Sequence, residues 1–151
     1  MLKLYRICRK DYAPKDPSGA IKIPGRWHVQ GQKVLYFCSS LAMCVLELRA
    51  NSVSFAAIRS GYHYIEIEID TASIVIEEVP ISFYVKNWIS DRKLTQKYGT
   101  GWFKSKGSLF LKVNSAVLPT DFNFILNTTH PGFASLHFPK PKAVPLDPRI
   151  V

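Results

Sequence analysis

The chain has 151 residues, of which 47% are apolar and 21% charged, enough apolar material for one globular core and too little length for two. Disorder, collagen and coiled coil are excluded by that composition. Twenty Lys and Arg against 11 Asp and Glu leave a net charge of +9, so the surface favours anions: nucleic acid, nucleotides or an acidic partner.

Met1-Leu2-Lys3-Leu4-Tyr5-Arg6 is charged too early for the core of a secretory signal. Residues 11–25 hold three prolines and two glycines and read as an ordered loop between two short strands, ending where Arg26 and Trp27 begin. Val34-Leu35-Tyr36-Phe37 suits a buried strand, and Ser39-Ser40 offers an N-cap for a helix over Leu41 to Ala50. That apolar run is far shorter than the roughly 20 residues of a membrane span and contains Glu47.

Tyr62 to Asp70 alternates with period two, with Ile65, Ile67 and Ile69 on one face and Glu66, Glu68 and Asp70 on the other. A short strand over Ile74 to Val79 ends at Pro80. One or two short helices are expected between Ser82 and Lys97, broken by Tyr98-Gly99-Thr100-Gly101-Trp102. Leu109–Val113, Phe122–Leu126 and Phe133–Phe138 read as three more strands, and the proline-rich tail from Pro139 should run extended. Strands and helices do not alternate as βα units, so the expectation is an α+β fold: a single compact domain over 1–151 with mixed sheets and few short helices.

The polar residues leave alternatives open. Glu47 lies in Leu41-Ala42-Met43-Cys44-Val45-Leu46-Glu47-Leu48, where it is either a partly buried carboxylate that needs a hydrogen-bonding partner or a helix-edge residue paired with Arg49. Arg26, between Pro24-Gly25 and Trp27, either grips a phosphate through parallel hydrogen bonds or stacks on the indole without a ligand. Tyr36 alone reads as a core tyrosine and Ser115 as a turn residue at a strand end. His130 is either a general base or the closure of a turn before Pro131. Cys8, Cys38 and Cys44 form no Cys-x-x-Cys pair, and the four histidines lack ligand spacing, so neither disulfide framework nor metal is expected. No Walker loop, Gly-x-Gly-x-x-Gly or Gly-x-Ser-x-Gly is present. These features suit a soluble protein of a reducing compartment.

In order and spacing, these pieces resemble the RES-domain family, the toxin half of bacterial toxin–antitoxin pairs. The resemblance runs through Leu4-Tyr5-Arg6, Gly25-Arg26-Trp27, Gly31, Val34-Leu35-Tyr36, Ser39-Ser40-Leu41-Ala42 and Leu46-Glu47. It continues through Trp88, Gly101-Trp102, Ser115-Ala116-Val117 with Pro119, Asn127 with His130-Pro131, and Leu146-Asp147-Pro148-Arg149. The chain departs from the family pattern at His28, usually asparagine, at Asn114, usually proline, and at Asp121 or Phe122, where the family has glutamate.

The resemblance implies a fold like the ADP-ribosyltransferase toxins and a cytoplasmic bacterial enzyme that consumes NAD+ as substrate, with no other cofactor. Glu47 would stabilise the cationic ribose, Arg26 and Arg6 would hold the pyrophosphate, and Trp27 and His130 would complete the binding site. Tyr36 would pack on the nicotinamide, and Ser115 would contact the ribose or orient Glu47. Water, inorganic phosphate or a protein side chain would receive the ADP-ribosyl group. The implied partners are a cognate antitoxin with an Xre-like helix-turn-helix domain and a second toxin copy. A nucleic-acid-directed toxin is the competing class. Against it, the basic residues form no run and no binding motif is present, so direct nucleic-acid binding is not expected.

Overall fold

The computed structural model describes residues 1–85 and 87–151. Seven strands form one sheet in the order β4-β5-β6-β2-β1-β3-β7: β1 Leu2–Arg9, β2 Val34–Cys38, β3 Tyr62–Ile69, β4 Ile76–Glu78, β5 Phe110–Asn114, β6 Phe122–Asn127 and β7 Lys142–Ala143. Every neighbouring pair is antiparallel except β4 with β5. The helices are α1 Ser18–Lys22, α2 Leu41–Ala50, α3 Phe55–Gly61 and α4 Arg92–Ser105, with short 3-10 turns at Ile81–Phe83 and Pro131–Ser135.

The central strands are buried on both faces, which is why they read as apolar runs instead of alternating. Leu35, Phe37, Phe110, Phe124 and Leu126 enter one core cluster with Leu4, Ile65, Ile67 and Ile69. Val34, Leu111, Val113 and Ile125, from the same strands, enter a second cluster with Trp27, Trp88 and Trp102. β3, near the sheet edge, keeps the expected alternation, with Ile65, Ile67 and Ile69 buried and Glu66 and Glu68 exposed.

The α2 boundaries are those expected, and Ser40 caps it by accepting a hydrogen bond from Met43 N at 3.1 Å. Three expectations are corrected. The loop over 11–25 contains α1. Tyr98 to Trp102 does not break a helix but lies inside α4, which starts on an Asp91 cap and ends at Lys106 in the left-handed region. Gly99 is present there for contact: a Cβ on it would stand 1.7 Å from Trp27 O. Finally, Phe133–Phe138 is not a strand. Pro131 and the His130 ring, which accepts from Gly132 N at 2.9 Å, start a 3-10 turn, and Phe133, Leu136 and Phe138 pack on the first core cluster from outside the sheet. α3 was not foreseen, although Ser54, which accepts from Ala57 N at 3.1 Å, is an N-cap of the ordinary kind. The tail is extended, and two of its residues add β7 to the edge at β3.

Candidate functional site

A cavity of about 490 Å³ opens beside α2 and the 24–27 loop, bordered by side chains from β1, β2, β5 and β6 and by the first residue of α4. Its lining includes Arg6, Arg26, Trp27, Tyr36, Glu47, Arg92 and Asn123. Five residues singled out from the sequence therefore meet here from four separate stretches of chain.

Glu47 projects from α2 and is half-buried. Its Oε1 accepts from Ser115 Oγ and from Asn123 Nδ2, each at 2.8 Å. Ser115 is fully buried, and its oxygen accepts from Val117 N and Leu118 N, both at 3.1 Å. With its lone pairs engaged by two N–H donors, the hydroxyl has its single hydrogen left for Glu47. The turn after β5 thus fixes the serine rotor, and the serine fixes the carboxylate. Oε2 of Glu47 takes no hydrogen bond among the described residues, so one carboxylate oxygen is anchored and the other is open to a ligand. The alternative pairing with Arg49 does not occur; that guanidinium donates to Val53 O and lies 5.0 Å from the Phe55 ring centroid.

Asn123 adds a second feature that the sequence did not reveal. Its Nδ2 serves Glu47, while its Oδ1 is buried with no partner among the described residues. A buried acceptor without a donor is costly.

Three guanidinium groups share the cavity. Arg6 donates to Pro14 O at 2.7 Å and to Tyr36 O at 3.4 Å. Burial lowers its pKa, opposed by the Cys8 and Cys44 thiols and Asp16. Arg26 donates to Ile89 O at 2.5 Å, and burial together with the like charge of Arg92 lowers its pKa. Arg92 is exposed at the start of α4 and was not foreseen, because no local motif marks a residue that reaches a site from a distant helix. Among the described residues none of the three makes an ion pair with a carboxylate. α4 also holds the 25–26 backbone in place: Thr95 Oγ1 donates to Arg26 O at 2.5 Å and Gln96 Nε2 to Gly25 O at 2.8 Å.

Trp27 lines the cavity, but its ring belongs to an aromatic cluster with Phe83, Tyr84, Trp88 and Tyr98, so it supports the loop more than it offers a free face. Tyr36 stands on β2 with its hydroxyl 2.8 Å from His28 Nδ1, and burial pushes that phenol far above its usual range. His130 is not brought to this cavity; its ring caps the 3-10 turn, which is the turn-closing alternative. Cys38 and Cys44 also line the cavity as free thiols, and the neighbouring Cys44 together with burial drives the Cys38 pKa up. Among the described residues no cluster of His, Cys, Asp or Glu is arranged to hold a metal, and no helix is long and apolar enough to cross a membrane.

A toxin named Res from Yersinia enterocolitica is 30% identical over 154 aligned positions, covering 99% of both chains. A "Prs ADP-ribosylating toxin" from a Sphingobium strain is 27% identical, covering 94% of this chain and 91% of that one. The solved MbcT–MbcA toxin–antitoxin complex of M. tuberculosis contains a chain that superposes with a TM-score of 0.76 at 15% identity, covering 94% of this chain and 83% of its own, which establishes the shared fold. The sequence profile of the RES domain matches residues 3–147, with Arg26, Glu47 and Ser115 inside it, and the chain belongs to the RES-domain family.

Proposed function

We propose that the chain is the toxin of a toxin–antitoxin pair and that its cavity cleaves the bond between nicotinamide and ribose in NAD+. The observation that carries this reading is the half-anchored Glu47 carboxylate in a cavity that also holds three arginines without acidic partners among the described residues. Relatives over nearly the whole chain length are named toxins, one of them ADP-ribosylating.

The chemistry requires little else. Nicotinamide in NAD+ is already cationic, so it leaves with the bonding electron pair as a neutral molecule and needs no general acid. The ribose left behind is oxocarbenium-like, and a nearby carboxylate stabilises that charge while accepting hydrogen bonds from the ribose hydroxyls. Glu47 Oε2 takes this role. Ser115 and Asn123 keep the carboxylate from turning away. Arg26, Arg6 and Arg92 bind the pyrophosphate, with the net charge of +9 drawing the anion in. An oxygen nucleophile then forms the new bond to the anomeric carbon. Inorganic phosphate gives ADP-ribose 1-phosphate and water gives ADP-ribose, and the arginine-rich wall suits phosphate as co-substrate. Transfer to a protein side chain is the second reading, favoured by the name of the Sphingobium relative.

The partner is a cognate antitoxin that occludes the cavity, as the toxin–antitoxin complex of the structural relative suggests. An Xre-like antitoxin, a toxin homodimer and a cytoplasmic site of action belong to the same proposal. The test is to incubate the purified chain with NAD+, with and without phosphate, and to resolve products by mass spectrometry beside Glu47→Gln and Arg26→Ala. Nicotinamide release reduced on the order of 100-fold or more in Glu47→Gln is expected, since one electrostatic stabiliser is removed. Undiminished release from folded Glu47→Gln would overturn the mechanism.

A further inference from the structure

Behind the Gly25 and Tyr36 wall of the cavity lies a histidine that the mechanism above leaves unused. His28 is 3% exposed, behind Gly25 and Tyr36. Its Nε2 lies 3.0 Å from Ala20 O and 3.1 Å from Ile23 O. Both carbonyls only accept, so Nε2 carries the ring proton. On the opposite side, Nδ1 lies 3.1 Å from Gly25 N and 2.8 Å from Tyr36 Oη. The Gly25 N–H only donates, so Nδ1 is the unprotonated, accepting nitrogen. Tyr36 Oη in turn accepts from Trp27 N at 3.3 Å, which leaves the phenol hydrogen for Nδ1. Backbone groups thus determine both the imidazole tautomer and the phenol rotor.

The fit leaves no slack. A Cβ at Gly25 would stand 2.7 Å from His28 Nδ1 and 2.7 Å from Tyr36 Oη, so only glycine allows the loop to close over the pair. Burial lowers the imidazole pKa, against the pull of the two carbonyls, and Arg92 adds a positive field. Burial raises the phenol, against Trp27 N–H, Arg92 and Arg26. Both rings are therefore neutral at pH 7.

We propose that His28 is a positioning residue for Tyr36: by taking the phenol hydrogen on Nδ1 it holds the ring in the cavity wall with its electron-rich face, and no O–H donor, turned to the ligand. Such a wall matches a cationic ring, whose positive charge is attracted to an aromatic face, and it repels a group that needs a hydrogen-bond donor. The pyridinium of NAD+ has that character, so the ligand match rests on the proposed function; the tautomer does not.

Two substitutions separate the two sides of the imidazole. His28→Asn places an amide oxygen near the Nδ1 position and can keep the Tyr36 acceptor while losing the bridge to Ala20 and Ile23. His28→Gln reaches toward the Nε2 position and keeps the bridge while losing the acceptor. The expected result is that His28→Gln lowers kcat for nicotinamide release on the order of 10- to 100-fold, as misplacement of a contacting group does. Tyr36→Phe should do the same, and the double variant should be no worse than either single one. His28→Asn should recover most of kcat while unfolding at lower temperature. A histidine that only supports the fold would give the opposite order, with kcat tracking thermal stability, and that outcome or additive losses in the double variant would overturn the proposal. 15N NMR of the ligand-free chain provides a measurement independent of activity: the Nε2-protonated tautomer is expected, with the Nδ1 resonance shifted in Tyr36→Phe. An Nδ1-protonated ring would overturn the proposal whether or not NAD+ is consumed. Absence of NAD+ cleavage by the unaltered chain with the expected tautomer would refute the substrate reading and support the positioning of Tyr36.

Discussion

Two glycines in one helix should respond in opposite directions to the same substitution. In α4, a Cβ at Gly99 would stand 1.7 Å from Trp27 O and 2.8 Å from Trp27 C, both backbone atoms that cannot swing aside. At Gly101, two residues on, nothing lies within 4 Å. Gly99→Ala must push α4 off the loop, and overpacking of this kind costs about 1–3 kcal/mol. The displacement also strains the bonds from Thr95 to Arg26 O and from Gln96 to Gly25 O, each contributing about 1 kcal/mol. Against this, alanine improves helix propensity by about 1 kcal/mol. The net for Gly99→Ala is a loss of about 2–4 kcal/mol, or roughly 4–16 °C in Tm at 2–4 °C per kcal/mol. Gly101→Ala receives only the propensity gain and should rise by up to about 1 kcal/mol. Urea unfolding of the two variants followed by Trp fluorescence reads both. Gly99→Ala matching or exceeding the unaltered chain would refute the close approach of α4 to Trp27, and with it the account of how Arg26 is held.

Three further outcomes are expected. Ser115→Ala should cost about 1–3 kcal/mol, because Val117 N and Leu118 N lose their acceptor and Glu47 its donor, and nicotinamide release should fall with it; an unchanged midpoint in chemical denaturation would contradict the network. Arg92→Ala, an exposed side chain without an acidic partner among the described residues, should leave stability within about 0.5 kcal/mol. It should raise KM for NAD+ about tenfold with little change in kcat, and steady-state kinetics showing the reverse split would remove Arg92 from substrate binding. The pH dependence of unfolding should carry the signature of His28. Its imidazole is held below the ordinary 6.5 in the folded chain, so the unfolded chain binds a proton that the folded one excludes. The stability tied to His28 is complete above pH 6.5 and declines as pH falls below it, levelling off once the folded-state pKa is passed. His28→Asn should flatten that limb of the ΔG-against-pH curve, and an unaltered slope would show that the proton resides elsewhere.

Gly25 and Gly99 show how much of the site is closeness between segments. In sequence Gly99 and Gly101 are equivalent and both signal a break; only the position of the Trp27 backbone against one of them explains why α4 continues through both. Phe133, Leu136 and Phe138 were identified as apolar, but their strand reading fails because a strand requires a neighbour, and the sheet edges next to β4 and β7 lie elsewhere.

The sequence by itself determined what depends on local chemistry and pattern: the α2 boundaries through Ser40, the alternating face of β3, the buried central strands, and the ordered residues that resemble the RES family. Arg26 and Glu47 stand out by residue type in those surroundings, whereas Tyr36 and Ser115 read alone as a core tyrosine and a turn residue and were singled out only by that resemblance. The tertiary structure decided what those residues touch. It chose Ser115 and Asn123 over Arg49 as the partners of Glu47, 68 and 76 residues away along the chain. It brought Arg92 to the cavity from a helix that the sequence had broken, moved His130 out to a turn, and turned His28 from a departure in a motif into the acceptor for Tyr36. The physical reason is that hydrogen bonds and close contacts act over about 3 Å in space, whereas sequence patterns register only neighbours along the chain.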